Sequence, residues 1–343
     1  VYKQSSPYCI QIELTEGCNL QCPFCGIQGI RETGNSSPPY KCLTIEKADL
    51  IAQQIAQSGW NPRIEMAMHG EPTMNPSYSE IVKVFRNRLP KTHLQMTSNG
   101  GGFLKKPGIV ENINEILKSG INVLLLDNYD RIKICDKIRT LYTGPYPVFE
   151  YPSNKEANPH KRRKPNEHHI VIVEDIDSAT SGNHATLNNH AGSGFERNNK
   201  AFGKRCAKAF REISVRWDGN IAICCNDWRG EYKCGNMLET NIVDIWHGEE
   251  FSASRKKLYH GERDFGPCNG CDALSYRPGL LPDPKGKETL PKVTKEDYKA
   301  INKALDGQSY AEHVRRPWEK DSNYFRKWNK QSAAAEKSVL AKN

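Results

Sequence analysis

IQIELTEGCNLQCPFC, residues 10–25, runs a β-rich segment straight into a loop that carries three cysteines. Cys18, Cys22 and Cys25 stand in Cys-x3-Cys-x2-Cys spacing. Three thiolates on one tight loop suit three irons of a [4Fe-4S] cube and leave the fourth iron without a protein ligand, a place for a substrate or cofactor. A zinc ion is the alternative, and it would want a fourth ligand nearby, a part His69 is placed to play.

Outward from this loop, β-rich runs alternate with helix-like stretches. The runs are IQIELT (10–15), RIEMAM (63–68), HLQMTS (93–98), INVLLL (121–126), PVFEY (147–151) and HIVIVE (169–174). The helix-like stretches include 44–58, where Thr44 and Lys47 make half a capping box, then 77–89 and 108–120. Strands alternating with helices build the α/β class, a parallel sheet with ligands at the carboxyl ends of its strands, whether open or closed into a barrel. Function is therefore expected just after each strand.

The chain has 343 residues, room for about two domains. With 37% hydrophobic and 26% charged residues it has no apolar run near the 18 or so residues of a membrane span, so no membrane role is expected. Its first residues lack a secretory pattern, which points to a cytoplasmic protein. Twelve cysteines in a reducing compartment indicate metal or cluster ligation in place of disulfides.

A polar, Gly- and Asn-rich stretch at 178–199 separates a second unit that opens with Cys206. In it, ISVRWDGNIAICC (213–225) reads as a β-hairpin with Asp218-Gly219 in a two-residue primed turn, and a helix is expected over 241–258. Cys206, Cys224 and the pair Cys268 and Cys271 form a second four-thiolate set. By spacing it fits either another iron–sulfur cluster or a zinc ribbon. Cys225 and Cys234 are rivals or bystanders of that set, and Cys9, Cys42 and Cys135 read as small core residues.

The three-cysteine loop, Phe24 immediately before its last cysteine and its place after the first strand resemble the radical S-adenosylmethionine (radical SAM) superfamily. The resemblance implies a partial (β/α)6 TIM-like barrel over residues 1–177. It also implies a [4Fe-4S] cluster whose open iron is chelated by the methionine moiety of S-adenosylmethionine (SAM). An electron, from a donor such as flavodoxin or ferredoxin, then cleaves the sulfonium to a 5′-deoxyadenosyl radical. After the second run, His69-Gly70-Glu71-Pro72 stands where the family has Gly-Gly-Glu-Pro, whose backbone and acidic residue hold the methionine ammonium; His69 replaces the first glycine. After the third, Thr97 to Gly100 resembles the family's Thr-Asn-Gly element with Ser98 inserted, which makes Ser98 and Asn99 cofactor candidates. Asp127, after the fourth, stands where the family often has a polar residue at the ribose, and an Asp at a strand end also serves as a helix cap. The second cysteine set resembles the shortened SPASM extension called a twitch domain. That implies one auxiliary [4Fe-4S] cluster on a β-hairpin and helix over 204–275, behind a linker at 178–203. NHAG (189–192) resembles a short element that often precedes such domains.

Net charge is +9, and residues 285–343 carry 14 basic against 8 acidic side chains. A basic helical tail is expected over 276–343. Together with the basic loop 155–164, its interleaved basic and aromatic residues are compatible with DNA or another nucleic acid. The leading expectation is thus a radical SAM enzyme that modifies or rearranges a nucleic-acid base, similar to phage-type thymine hypermodification isomerases. Oxidation or cross-linking of a peptide, or of a sugar or aminocyclitol, is the alternative, and a zinc protein that binds nucleic acid is the non-enzymatic one.

Overall fold

The computed structural model describes residues 6–20, 22, 24–32, 39–128, 134–151, 162–173, 188–194, 201, 203 and 206–273. The expected basic tail at 276–343 lies outside the described residues, as do 152–161 of the basic loop and most of the linker.

The chain opens with β1 (Cys9–Ile12), buried along its whole length. A small antiparallel pair, β2 (Thr15–Glu16) and β3 (Lys41–Cys42), brackets α1 (Ile27–Glu32). Next comes α2 (Ile45–Gln57), capped as expected: the Thr44 hydroxyl accepts the Lys47 N–H at 3.3 Å. Ala48, Ile51, Ala52 and Ile55 give α2 one buried stripe at helical spacing, so an Ile55→Ala change would cost about 2–5 kcal/mol of core packing. Then β4 (Arg63–Glu65), α3 (Tyr78–Arg88), β5 (Leu94–Ser98), α4 (Ile109–Lys118), β6 (Val123–Asp127), α5 (Ile134–Leu141) and β7 (Val148–Tyr151) alternate as expected, and β8 (His169–Val173) is the next described strand.

β1, β4, β5 and β6 lie side by side in parallel, but the last two strands exchange places. β8 pairs with β6, Val123 opposite His169, and β7 sits outside it, Val148 opposite Ile170. Burial explains the order. His169, Ile170, Val171 and Ile172 are all buried, which suits an interior strand, whereas VFEY in β7 is half-exposed and tolerates an edge.

The second unit extends this same sheet. β9 (Glu212–Val215) pairs in parallel with β1, Cys9 opposite Glu212, and β10 (Asn220–Ala222) and β11 (Lys233–Asn236) follow antiparallel, making nine strands. The expected hairpin forms with a different turn. Gly219 alone takes a left-handed φ of +85°, and its N–H bonds the Arg216 carbonyl at 2.9 Å. The result is a type I turn closed by a left-handed glycine, which leaves Asp218 free to accept the Asn220 N–H at 3.1 Å. The single helix expected over 241–258 is two, Ile242–His247 and Glu249–His260, because Gly248 between them is extended. One hydrophobic core runs through both units, from Ile10 and Ile64 to Ile213 and Trp246.

Candidate active site and auxiliary centre

Gly17, just before Cys18, pairs with Gly70 in a parallel bridge at the carboxyl end of the sheet. The Glu71 N–H donates to the Gly17 carbonyl at 2.9 Å. A Cβ on residue 70 would stand 2.3 Å from the Gly17 oxygen and 2.4 Å from that of Thr15, so the close approach requires glycine. The turn that the sequence singled out is thereby fastened to the root of the cysteine loop.

Glu71 is buried and organises the next strand end. Its Oε1 accepts the Ser98 hydroxyl at 2.7 Å and the Thr73 N–H at 3.0 Å, and its Oε2 accepts the Asn99 N–H at 2.8 Å. Burial pushes its carboxyl up, and these donors oppose that rise. Asn99 in turn donates its amide to Cys18 Sγ at 3.5 Å and to Asn19 Oδ1 at 2.9 Å. Cys18 also accepts the Leu20 N–H at 3.3 Å. Two N–H donors on one sulfur fit a thiolate. Burial pushes the free Cys18 thiol up to about 12, opposed by the Leu20 N–H and reinforced by Glu71, Cys25 and Cys22, so the loop calls for a cationic ligand to hold its thiolates. Pro72 opens the short turn Pro72–Met74 behind Glu71. Phe24 is buried, and Asp127 closes β6 at the same carboxyl edge, half-buried one strand farther on. The structure thus gathers Gly70, Glu71, Ser98 and Asn99 around Cys18. The His69 ring lies elsewhere, against Glu13 and Cys225.

The second set closes on itself. Cys206, Cys224, Cys268 and Cys271 are each only 7–8% exposed and line one cavity with Lys208, Asn226 and Arg263. Burial, and the other cysteines after it, push the Cys268 thiol up, while the buried Arg263 guanidinium pulls it down. Asn226 offers an N–H to Cys271 Sγ at 3.9 Å. Among the described residues no three His, Cys, Asp or Glu side chains converge closely enough for one metal ion. A zinc tetrahedron with 2.3 Å bonds would bring its sulfurs to within about 4 Å of one another, whereas a cube binds each thiolate to a different iron. Cys225 and Cys234 do not line that cavity: Cys225 Sγ receives the Lys208 ammonium at 3.1 Å, and Cys234 packs in the core.

One feature escaped the sequence reading, and another, the NHAG segment, gains a structural role. Trp228 packs with Ile27 and Ile30 against Cys18 and Cys25, roofing the cysteine loop from the second unit. Its indole N–H is buried and has no acceptor among the described residues, a site for the acceptor that a bound cofactor would supply. The NHAG segment is a strap. The Asn189 amide donates to the Gly270 carbonyl at 2.7 Å beside the Cys268–Cys271 turn, and Ser193 accepts the Gly29 N–H at 3.1 Å on α1.

The radical SAM family model matches residues 12–128, and the SPASM iron–sulfur cluster-binding domain matches 206–272. The chain belongs to the radical SAM superfamily. It is an enzyme whose cofactors are a [4Fe-4S] cluster, an auxiliary cluster and SAM. It is similar to the S-adenosyl-L-methionine-dependent 2-deoxy-scyllo-inosamine dehydrogenase of Niallia circulans, 23% identical over 272 residues, which are 78% of this chain and 94% of that protein. A shorter match, 33% over 94 residues and 27% of each chain, joins it to the GTP 3',8-cyclase of Photorhabdus laumondii subsp. laumondii. Among solved structures, BtrN in complex with AdoMet and 2-DOIA shares the fold, with a TM-score of 0.60 at 19% identity over 79% of this chain and 96% of that one. Among the described residues no helix of this radical SAM protein is long and apolar enough to cross a membrane.

Proposed function

We propose that this radical SAM enzyme oxidises a small, polar, ring-based substrate at a carbon bearing a hydroxyl or amino group. The observation that carries the reading is the likeness to the inosamine dehydrogenase, which spans nearly all of that protein and 78% of this chain. With its clusters and SAM bound, the centre supplies a 5′-deoxyadenosyl radical and an acceptor for one electron, which with loss of a proton take a carbinol to a carbonyl. The chain's own residues do the positioning. Gly70 lays the turn against the cysteine loop, Glu71 fixes Ser98 and Asn99, Asn99 orients Cys18, and Trp228 covers the loop against water.

A second reading is favoured by a specific observation. Residues 285–343 carry 14 basic against 8 acidic residues. Such a segment suits a polyanion, so the same hydrogen abstraction would act on a group carried by a nucleic-acid base, in an isomerase or an oxidase. The test is anaerobically reconstituted enzyme with SAM and reductant, offered amino-polyols, peptides, DNA and RNA while 5′-deoxyadenosine is followed. Substrate-dependent release with an amino-polyol supports the first reading. Release with DNA or RNA alone, lost steeply as salt rises, replaces it with the second.

A further inference from the structure

We propose that His69 is a positioning residue that couples the cofactor-binding turn to the SPASM domain, so that the seating of that domain sets how tightly SAM is held. The proposal rests on Gly70 and Glu71 forming part of the SAM site.

His69 is fully buried and its ring is held on three sides. Its Nδ1 is hydrogen-bonded with Glu13 Oε1 at 2.7 Å, its Nε2 with the Cys225 carbonyl at 3.0 Å, and its face lies 4.8 Å from the Trp228 ring. Glu13 directly follows β1, whereas Cys225 and Trp228 belong to the SPASM domain, Cys225 being the neighbour of the cluster cysteine Cys224. A carbonyl only accepts, and Glu13 is held as a carboxylate: burial raises it, but His69 and Arg216 outweigh that and keep it low. Both ring nitrogens are therefore engaged, which leaves the imidazole one orientation. Glu13 Oε2 is itself shared with the SPASM domain through the Trp217 N–H at 3.1 Å and Arg216 at 3.9 Å.

On the other side, the backbone of His69 leads directly into Gly70 and Glu71. The Gly17 bridge, the Glu71 bonds to Ser98 and Asn99, and the Asn99 bond to Cys18 complete the connection. A continuous line of bonds thus runs from the carbonyl beside one cluster ligand to the sulfur of the other cluster's first ligand, and His69 is the member that crosses between domains. A glycine at 69 would have no side chain with which to make that crossing.

The test uses the full chain, reconstituted anaerobically, with SAM affinity from calorimetry, the reduced-cluster EPR spectrum with and without SAM, and iron content. His69→Gln keeps a donor for one of the two acceptors, and Glu13→Gln is isosteric and touches no cofactor residue. Each is expected to weaken SAM binding about tenfold and to shrink the SAM-induced EPR change at unaltered iron content. The double variant should bind no more weakly than either single one, because both cut one path. Wild-type SAM affinity in both single variants at full iron overturns the coupling, as does a double variant whose loss is the product of the two. If His69→Gln fails to fold, Glu13→Gln decides by the same reading, and undiminished affinity there overturns the proposal. Absence of SAM binding by the wild-type protein would instead remove the site assignment, and the coupling with it.

Discussion

The two thiolate sites are built on opposite plans. Cys18, Cys22 and Cys25 share one loop and remain partly exposed, and Cys18 is held by a donor from a neighbouring strand end. Cys206, Cys224, Cys268 and Cys271 come from three separate stretches and are nearly closed to water. A site that must admit a cofactor is kept on a loop that can be reached, and its precision is supplied from outside by Glu71 and Asn99. A site whose ligands converge from distant segments forms only when those segments pack, so filling it and folding its domain are one event.

This contrast can be broken most directly at the open site. Replacing Cys18, Cys22 and Cys25 together with alanine should abolish 5′-deoxyadenosine formation and leave about four of roughly eight irons, with the melting temperature nearly unchanged. Turnover persisting in that variant would end the radical SAM reading. At the closed site the expected balance reverses. Cys268→Ala with Cys271→Ala should remove the auxiliary iron and lower stability by roughly 3 kcal/mol or more, about 6–12 °C in scanning calorimetry; an unshifted transition would mean that this centre is no part of the fold. Asn99→Ala tests whether the open loop depends on outside support. Losing the donor to Cys18 should cost about 1.5–3 kcal/mol of cluster or SAM binding without unfolding, read by iron retention and by SAM titration.

A last test concerns pH at a residue that belongs to neither site, with no effect expected at neutral pH. His93 is buried and accepts the Arg163 N–H at 2.8 Å, and burial first, then the Arg63 and Arg162 charges, hold it at about 3. The unfolded chain takes up that proton near pH 6.5 and the folded one does not, so its contribution is full above about 6.5 and is lost as pH falls toward 3. The slope is at most about 1.4 kcal/mol per pH unit, and His93→Gln should flatten it. If iron leaves the protein before the transition shifts, acid is acting on the thiolates and not on His93.

How much was legible follows the same contrast. The open site's cysteines stand in one contiguous motif, and Gly70, Glu71, Ser98 and Asn99 were picked out by their resemblance to the family's elements at successive strand ends. The strand alternation itself was legible, since apolar runs and helical stripes are local. The order of β7 and β8 was not, because it depends on how buried each strand is relative to the other. The turn at Asp218-Gly219 carried the right residues for a hairpin but did not reveal which of them would take the left-handed conformation. Trp228 and the partners of His69 left no local signal at all: Glu13, Cys225 and Trp228 meet only through the pairing of β1 with β9. The basic tail and most of the basic loop, from which a nucleic-acid substrate was expected, lie outside the described residues.

That pairing also bears on how the chain is made. β9, the neighbour of β1, lies roughly 200 residues after it, about 10–40 s of synthesis at ordinary ribosomal speeds. Until then the backbone N–H and carbonyl groups along one side of Cys9–Ile12 have no strand to bond, and an apolar edge of that kind is a template for stray association. Yield in a host should therefore respond to translation rate and to chaperone supply between β8 and β9 more than to the measured stability of the finished enzyme.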